Sequence, residues 1–318
     1  MDDRPVRVKL IFNPSSGAAR QSPSLLLNLI AELQNDNFIP EVYLVQNGGN
    51  LEASIKDSLN QGLRLFVVCG GDGTIESAAA ALSGTDAVLG IIPAGTYNNV
   101  ALSLGIPQDI HAAVGLLRNG KVHKVDMGIA SCGEFQSPFL EICSVGLLSA
   151  IFPALDDIQH GDLTRIGDFL ATLVNSSPAK ISLILDDQKE INFQGHVVLA
   201  ANMPYVGPHY QIGVPGSFVD GLIDVLVFAN LNKLEILDNA VQTAVGGSGD
   251  ARIQRYQVRK MSIDSSPPMP VLVDGRSLGT GRVQIQLREQ ALQVIVGQDV
   301  AGLSTPKLKQ SSGDLPNE

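Results

Sequence analysis

Short apolar runs alternate with helix-periodic stretches through the first third of the chain. Val6–Phe12 is β-rich and runs into the turn chemistry of Asn13-Pro14-Ser15-Ser16-Gly17. Behind Ser24, a residue suited to capping, Leu26, Leu29, Ile30 and Leu33 recur at helical spacing. The pattern then predicts a strand at Val42–Val45, a helix at Leu51–Leu59 and a buried strand at Leu65–Cys69. A helix over Thr74–Leu82 and a strand over Val88–Ile92 follow. This βαβα rhythm predicts a largely parallel sheet covered on both faces.

The rhythm fades after Lys124. Beyond it lie β-rich runs split by Gly, Pro, Asn and Asp: Lys180–Leu185, His196–Ala201, Ile223–Phe228, Arg259–Ile263, Val283–Leu287 and Leu292–Val296. A helical patch around Thr164–Val174 interrupts them. The second portion is expected to be a mostly antiparallel sandwich or barrel. With 318 residues, two domains are expected, an α/β domain over 1–123 and a β-rich domain over 124–303. The C-terminal part of the second is free to pack back on the first. Ser304–Glu318, poor in apolar residues, is expected to be a flexible tail.

Composition narrows the classes. Hydrophobic residues make up 44% of the chain and charged residues 17%, which excludes disorder for most of it. Lys and Arg number 22 against 32 Asp and Glu, a formal charge of −10 that disfavours a nucleic-acid partner. Cys69, Cys132 and Cys143 form no CxxC pair, so neither a disulfide framework nor a zinc site is expected. The opening MDDRPVRVK has no signal-type apolar segment, and no apolar run approaches the roughly 18 residues that span a bilayer. A cytoplasmic protein is the expectation, and any contact with lipid would be from the aqueous side. His111, His123, His160, His196 and His209 show no metal-ligand spacing. Asp156-Asp157 and Asp186-Asp187 read as solvated loop charges. Arg252, Arg255, Arg259 and Lys260 form the evident basic cluster, read as a charged strand face or as a docking patch.

The chemistry concentrates in loops after strands. Gly70-Gly71-Asp72-Gly73-Thr74 joins a strand to a helix; consecutive glycines let backbone N–H groups approach a phosphate, and the helix N-terminus adds favourable partial charge. Asp72 is placed to hold Mg²⁺, and Thr74 to cap the helix or touch a phosphate. A capped, tight strand-to-helix turn is the bland alternative. Pro93-Ala94-Gly95-Thr96-Tyr97-Asn98-Asn99 again follows a strand and precedes a helix, Asn99–Leu104. In a parallel sheet the loops around Asn13, Asp72 and Asn98 converge on one crevice.

These loops resemble the diacylglycerol kinase catalytic-domain family, its soluble bacterial lipid kinases in particular. The resemblance continues through Leu104-Gly105-Ile106-Pro107, Lys124-Val125-Asp126-Met127-Gly128, Thr164-Arg165-Ile166-Gly167-Asp168-Phe169 and Asp220-Gly221-Leu222-Ile223-Asp224-Val225. It implies an NAD-kinase-like α/β domain, then a β-sandwich domain, with lipid entering the cleft between them. The implied activity is ATP-dependent phosphoryl transfer to the hydroxyl of diacylglycerol or a related lipid. The resemblance implies that Gly70, Gly71, Gly73 and Thr74 hold ATP phosphates, with Asn13, Gly95, Thr96 and Asn98 at the same nucleotide site. It gives Asp72 and Asp126 catalytic roles, and Asp72 and Asp220 roles at Mg²⁺. The implied partners are ATP and a membrane lipid met transiently at the bilayer surface, with homodimerisation left open.

The sequence departs from the family pattern at three places. The late Asp-Gly-Glu motif reads Asp274-Gly275-Arg276, so the family's proposed general base is replaced by a residue that cannot accept a proton near neutral pH. The usual Asn-Asp reads Asn98-Asn99, and the family's glycine-rich stretch reads Tyr205-Val206-Gly207-Pro208-His209. Two expectations follow: a lipid kinase in which Asp126 or Asp72 suffices, or a weak or inactive nucleotide- and lipid-binding protein on that scaffold. NAD kinases share a GGDGT-type loop, but their Asn-Pro-Thr-Gly-Ser-Thr-like segment has no counterpart here. Phe152, Pro153 and Leu155 are a candidate apolar lip for acyl chains.

Overall fold

The computed structural model describes residues 5–46, 48–147, 177–206, 210–213, 216–233, 235–236, 252–297 and 300. The expected helix at 164–174, the candidate lip at 152–155, Asp156-Asp157, His160, the stretch 207–209 and the tail 304–318 lie outside these residues.

The first half alternates strands and helices: β1 (Val6–Phe12), α1 (Gly17–Gln21), α2 (Leu25–Asn35), β2 (Phe38–Leu44), α3 (Leu51–Asn60), β3 (Leu65–Gly70), α4 (Asp72–Leu82), β4 (Val88–Pro93), α5 (Asn99–Ser103) and α6 (Ile110–Asn119). β2, β1, β3 and β4 lie side by side and parallel. β3 and β4 are near-continuous apolar runs with almost every residue buried, as strands sandwiched between helical layers require. α2 turns Leu25, Leu29 and Leu33 inward, the i, i+4, i+8 stripe of an amphipathic helix. Ser24 stands at its N-cap, yet makes no side-chain capping bond. α3 and α6 are capped by the side chains of Asn50 and Asp109, which accept from Ala53 and Ala112 N–H.

The second half is antiparallel: β5 (Lys121–Cys132), β6 (Phe135–Phe139), β7 (Ile142–Gly146), β8 (Ala179–Leu185), β9 (Lys189–Ala201), a small hairpin of β10 (Tyr205–Val206) and β11 (Tyr210–Gln211), β12 (Ile223–Ala229), β13 (Ile253–Val258), β14 (Lys260–Ser266), β15 (Pro270–Val273), β16 (Arg276–Thr280) and β17 (Val283–Val296). Alternation is clear in β8, whose burial runs in-out along Ala179, Ile181, Leu183 and Leu185. A second apolar core fills this region, built from these residues with Val198, Val225, Ile263, Val271 and Ile285.

β17 joins the halves. The runs expected as two strands, 283–287 and 292–296, are one strand with an irregularity between Arg288 and Leu292, where Gln290 takes φ 52°. The polar Arg288-Glu289-Gln290 interrupts the apolar pattern without ending the strand, because β5 pairs with it on both sides of the break. Its first part pairs with β14, and Gln293 and Val294 pair in parallel with Val88 and Leu89 of β4. Among the described residues the result is a 15-stranded mixed sheet, parallel at the β2 end and antiparallel beyond β17.

Candidate active site

β4, β3 and β1 are consecutive neighbours, so their C-terminal ends deliver three loops to one edge. Hydrogen bonds tie these loops together. The Asn13 side-chain amide donates to Thr74 Oγ1 at 2.8 Å, Ala94 N–H donates to the Gly70 carbonyl at 2.9 Å, and Ala18 N–H donates to the Ala94 carbonyl at 3.0 Å. Gly71 and Gly95 touch backbone to backbone: a Cβ on Gly95 would lie 2.5 Å from the Gly71 Cα. Only glycine permits that approach. At Gly73, by contrast, a Cβ would meet nothing within 4 Å, so the space above the loop is open. Gly71 is the N-cap of α4 and offers no side chain to its first turn. A wide-open helix N-terminus of this kind suits an anion.

The remaining residues of the loops divide into those facing outward and those holding the loops. Thr96 is exposed. Thr74 sits inside α4, buried, and its hydroxyl serves Asn13 rather than capping the helix. Asn98 takes the left-handed conformation at φ 54° and accepts from Gly95 N–H while donating to Gln108. Asp72 is half-buried, and its Oδ1 accepts from Val100 N–H at 3.1 Å, joining the start of α4 to α5. Burial raises its pKa, and N–H donors from Val100, Asn99 and Asn98 partly offset the rise.

Asp126 is buried on β5 with both oxygens engaged: Oδ1 accepts from Gln290 N–H at 2.7 Å and Oδ2 from Gly221 N–H at 3.0 Å. Burial raises its pKa against the pull of these two donors. Asp220 is exposed, and its Oδ1 accepts from Leu222 N–H. Its pKa is raised by partial desolvation of the carboxyl, with the charges of Asp224 and Asp126 adding to the effect and the Leu222 N–H opposing it. Among the described residues, no three His, Cys, Asp or Glu side chains are arranged to hold a metal ion. Asn202 stitches this region, donating from its amide to the carbonyls of Asp126 and Leu140.

A buried carboxyl cluster lies nearby that sequence reasoning missed. Glu76, Glu141 and Asp274 are each only 6% exposed. Glu76 stands one turn along α4 from Asp72, on the same face. Glu141 sits in the connection from β6 to β7, close enough to Glu76 for each carboxyl to act on the other. The Asp274 carboxylate, in the β15–β16 turn, accepts from the N–H groups of Leu140, Glu141 and Ile142 at 2.7, 3.1 and 2.9 Å. Arg276, two residues on, is exposed, and its charge reaches both Glu76 and Asp274. Burial, then the charge of Asp274, pushes Glu76 up to about 8. Glu141 is held well above the ordinary range by burial and by Glu76. Asp274 rises to about 6 through burial, restrained by its three N–H donors and Arg276. A glutamate on an otherwise apolar helix face, and another inside the apolar run 139–145, were the available signals.

Three other features of the sequence resolve. The basic cluster is internally paired: Arg252 with Glu235, Arg259 with Glu289, Lys260 with Asp187, and Arg255 donating to the Ile212 carbonyl. Asp186 is more than a solvated charge, since its Oδ1 accepts from the N–H groups of Arg259 and Lys260. The Cys69 thiol is pushed up to about 12 by burial and stays protonated.

Comparison with known proteins agrees with this architecture. Residues 7–130 match the diacylglycerol kinase catalytic domain, and residues 158–296 match the YegS C-terminal NAD kinase beta sandwich-like domain. The chain is 24% identical over 278 residues to a diacylglycerol kinase of Bacillus subtilis (strain 168), covering 85% of this chain and 89% of that one. It is 23% identical over 298 residues to a probable lipid kinase YegS-like protein of Pectobacterium atrosepticum, covering 92% and 96%. A crystal structure of a diacylglycerol kinase from Bacillus anthracis str. Sterne shares the fold, with TM-score 0.67 and 21% identity over 92% of this chain and 97% of that one. With both halves matched in order along the chain, this protein belongs to the diacylglycerol kinase catalytic-domain family of lipid kinases.

Proposed function

We propose that the protein transfers the γ-phosphate of ATP to a hydroxyl of diacylglycerol or a related lipid. The observation that carries this reading is the three-loop edge: Asn13, Gly70–Thr74 and Gly95–Asn98 locked together around the open N-terminus of α4, with Asp72 half-exposed beside it. Phosphoryl transfer needs mainly positioning and charge neutralisation, which backbone donors and a metal ion supply. Magnesium is held in such sites by one or two carboxylates together with the substrate's own phosphates. Asp72 fits that mode, and the lack of a three-ligand protein cage among the described residues is no obstacle to it. Asp220, exposed and close in charge to Asp126 and Asp224, is proposed as a second, structural Mg²⁺ contact.

The lipid is proposed to be met at a membrane surface by a cytoplasmic protein, transiently. No helix among the described residues is long and apolar enough to cross a bilayer. Since the basic cluster is spent on internal partners, docking is assigned to exposed apolar side chains, of which Phe135 at the β5–β6 turn is 69% exposed. A second reading, a nucleotide- and lipid-binding protein without transfer, is favoured by Arg276 in place of the family glutamate and by the fully engaged oxygens of Asp126. Transfer of labelled γ-phosphate to lipid alcohols in mixed micelles with Mg²⁺ separates the two. Activity that disappears in Asp72→Ala supports the kinase; silence in the wild type with activity in Arg276→Glu supports the binding protein.

A further inference from the structure

Asp126 sits where the parallel and antiparallel regions are spliced. In the pairing of β5 with β17, Met127 faces Arg288 and Val125 faces Leu292, so the three residues 289–291 stand opposite Asp126 alone. On one side of that break β17 pairs with β14, and on the other with β4, the strand that delivers the Gly95–Asn98 loop. A break of this kind leaves main-chain N–H groups that the ladder no longer satisfies. The Asp126 side chain, 3% exposed, satisfies one of them: its Oδ1 accepts from Gln290 N–H at 2.7 Å. Its Oδ2 reaches a different element, accepting from Gly221 N–H at 3.0 Å.

Gly221 closes the short turn that begins at Ser217 and carries Asp220. That turn lies against the break, since a Cβ on Gly221 would stand 3.6 Å from the Glu289 carboxyl. Further bonds close a circuit. The Ser217 hydroxyl donates to the Asn202 carbonyl, and the Asn202 amide donates to the carbonyls of Asp126 at 3.0 Å and Leu140 at 2.8 Å. Leu140 N–H donates in turn to the Asp274 carboxylate, in the turn that precedes Arg276. One buried residue, engaged through side chain and main chain alike, thus joins the β17 break, the Asp220 turn and the β6–β7 connection. A proton acceptor presents an oxygen to its substrate. Both oxygens of Asp126 are instead directed at main-chain donors.

We propose that Asp126 is a positioning residue: it holds the Asp220-Gly221 turn and, through Asn202, the β6–β7 connection in register with the three-loop edge, and takes no proton from the lipid hydroxyl. This rests on the kinase reading above. Asp126→Asn keeps the shape and one accepting oxygen but turns an NH₂ group toward one of the two N–H donors, so one arm of the tie is lost. Asp126→Ala loses both arms.

The test measures kcat, KM for ATP and the pH profile of lipid phosphorylation by the full chain, with amide hydrogen exchange read by mass spectrometry and thermal melts of each variant. Asp126→Asn should lower kcat by about 10–10²-fold through misplacement alone. KM for ATP and the shape of the pH profile should stay as in the wild type. Exchange should quicken at 216–222 and 287–292 and stay unchanged at 70–74. Asp126→Ala should go further in both rate and exchange. Faster exchange with unchanged kcat in Asp126→Asn overturns the proposal, because the tie is then merely structural. A lost pH-dependent limb with exchange unmoved also overturns it, because Asp126 is then the proton acceptor. Wild-type protein that binds ATP but phosphorylates no lipid alcohol overturns the kinase reading and this one with it, whereas an active wild type matched by Asp126→Asn overturns this one alone.

Discussion

The amide of Asn13 donates to the hydroxyl of Thr74 across 2.8 Å, although 61 positions separate them along the chain. That bond fastens the loop after β1 to the first turns of α4 and fixes two of the three edges of the candidate nucleotide site. Asn13→Ala should cost about 1 kcal/mol of stability. It should also weaken ATP binding by several-fold, because the loop loses its anchor. Calorimetric ATP titration together with a denaturant melt checks both; unchanged affinity would detach this loop from the nucleotide.

Gly95 and Gly73 provide an internal contrast. A Cβ on Gly95 would fall 2.5 Å from the Gly71 Cα and 2.8 Å from Asn98 Oδ1, with backbone on one side and no flexible chain end to yield. Gly95→Ala should destabilise the fold by about 1–3 kcal/mol and separate the two loops. Gly73→Ala meets open space and should melt like the wild type. If Gly73→Ala nevertheless weakens ATP binding, the phosphate passes over that position.

The carboxyl cluster makes stability depend on pH with a definite sign. Glu76 is raised from the ordinary 4.5 to about 8, and Glu141 is raised with it. Between those values the folded chain holds protons that the unfolded chain has released. Their contribution is therefore fully present below about 4.5 and is lost as pH rises through about 8. Urea melts across that window should show declining stability, and Glu76→Gln should flatten the decline. A curve that rises through the same window would mean the pair is not buried and protonated.

Asp274 couples to the same pair through charge. Asp274→Asn gives up a carboxylate that accepts three N–H groups and should cost about 2–3 kcal/mol. It also removes a negative neighbour from Glu76, so the decline of stability with pH should finish at lower pH. A shift to higher pH would contradict the electrostatic arrangement.

Membrane attraction through the basic cluster should be weak. Arg252, Arg259 and Lys260 are ion-paired and the whole chain carries −10. Sedimentation with anionic vesicles should change little when Arg255 and Arg259 are replaced by Ala, and should drop when Phe135 is replaced by Ser. The opposite ranking would return docking to the cations.

Much of the first half was legible because its signals are local. The buried runs of β1, β3 and β4 and the glycine pair at Gly70-Gly71 can be read residue by residue, and parallel pairing then dictates where their loops meet. β5 was not legible at its start, since Lys121, His123 and Lys124 hide a strand that is buried from Val125 through Ala130. β15 and β16 are short, and their turn at Asp274-Gly275 resembles any polar loop. Glu76 and Glu141 are the instructive pair. Each looks like an isolated surface charge within an apolar stretch, and only the packing of α4 against the β6–β7 connection turns both inward toward one another.

The pairing of β17 with β4 sets the order in which the molecule can be built. Val88 and Gln293 are partners across a span of about 200 residues, a separation that makes their pairing slow to find. Until β17 has been synthesised, β4 is the outer strand of the parallel sheet, a flat apolar edge with unpaired backbone groups. The nucleotide half therefore waits, with its stickiest strand uncovered, for a strand about 200 residues downstream to emerge. A ribosome pause before β17 would lengthen that exposure, and chaperone demand should track the time taken to reach it.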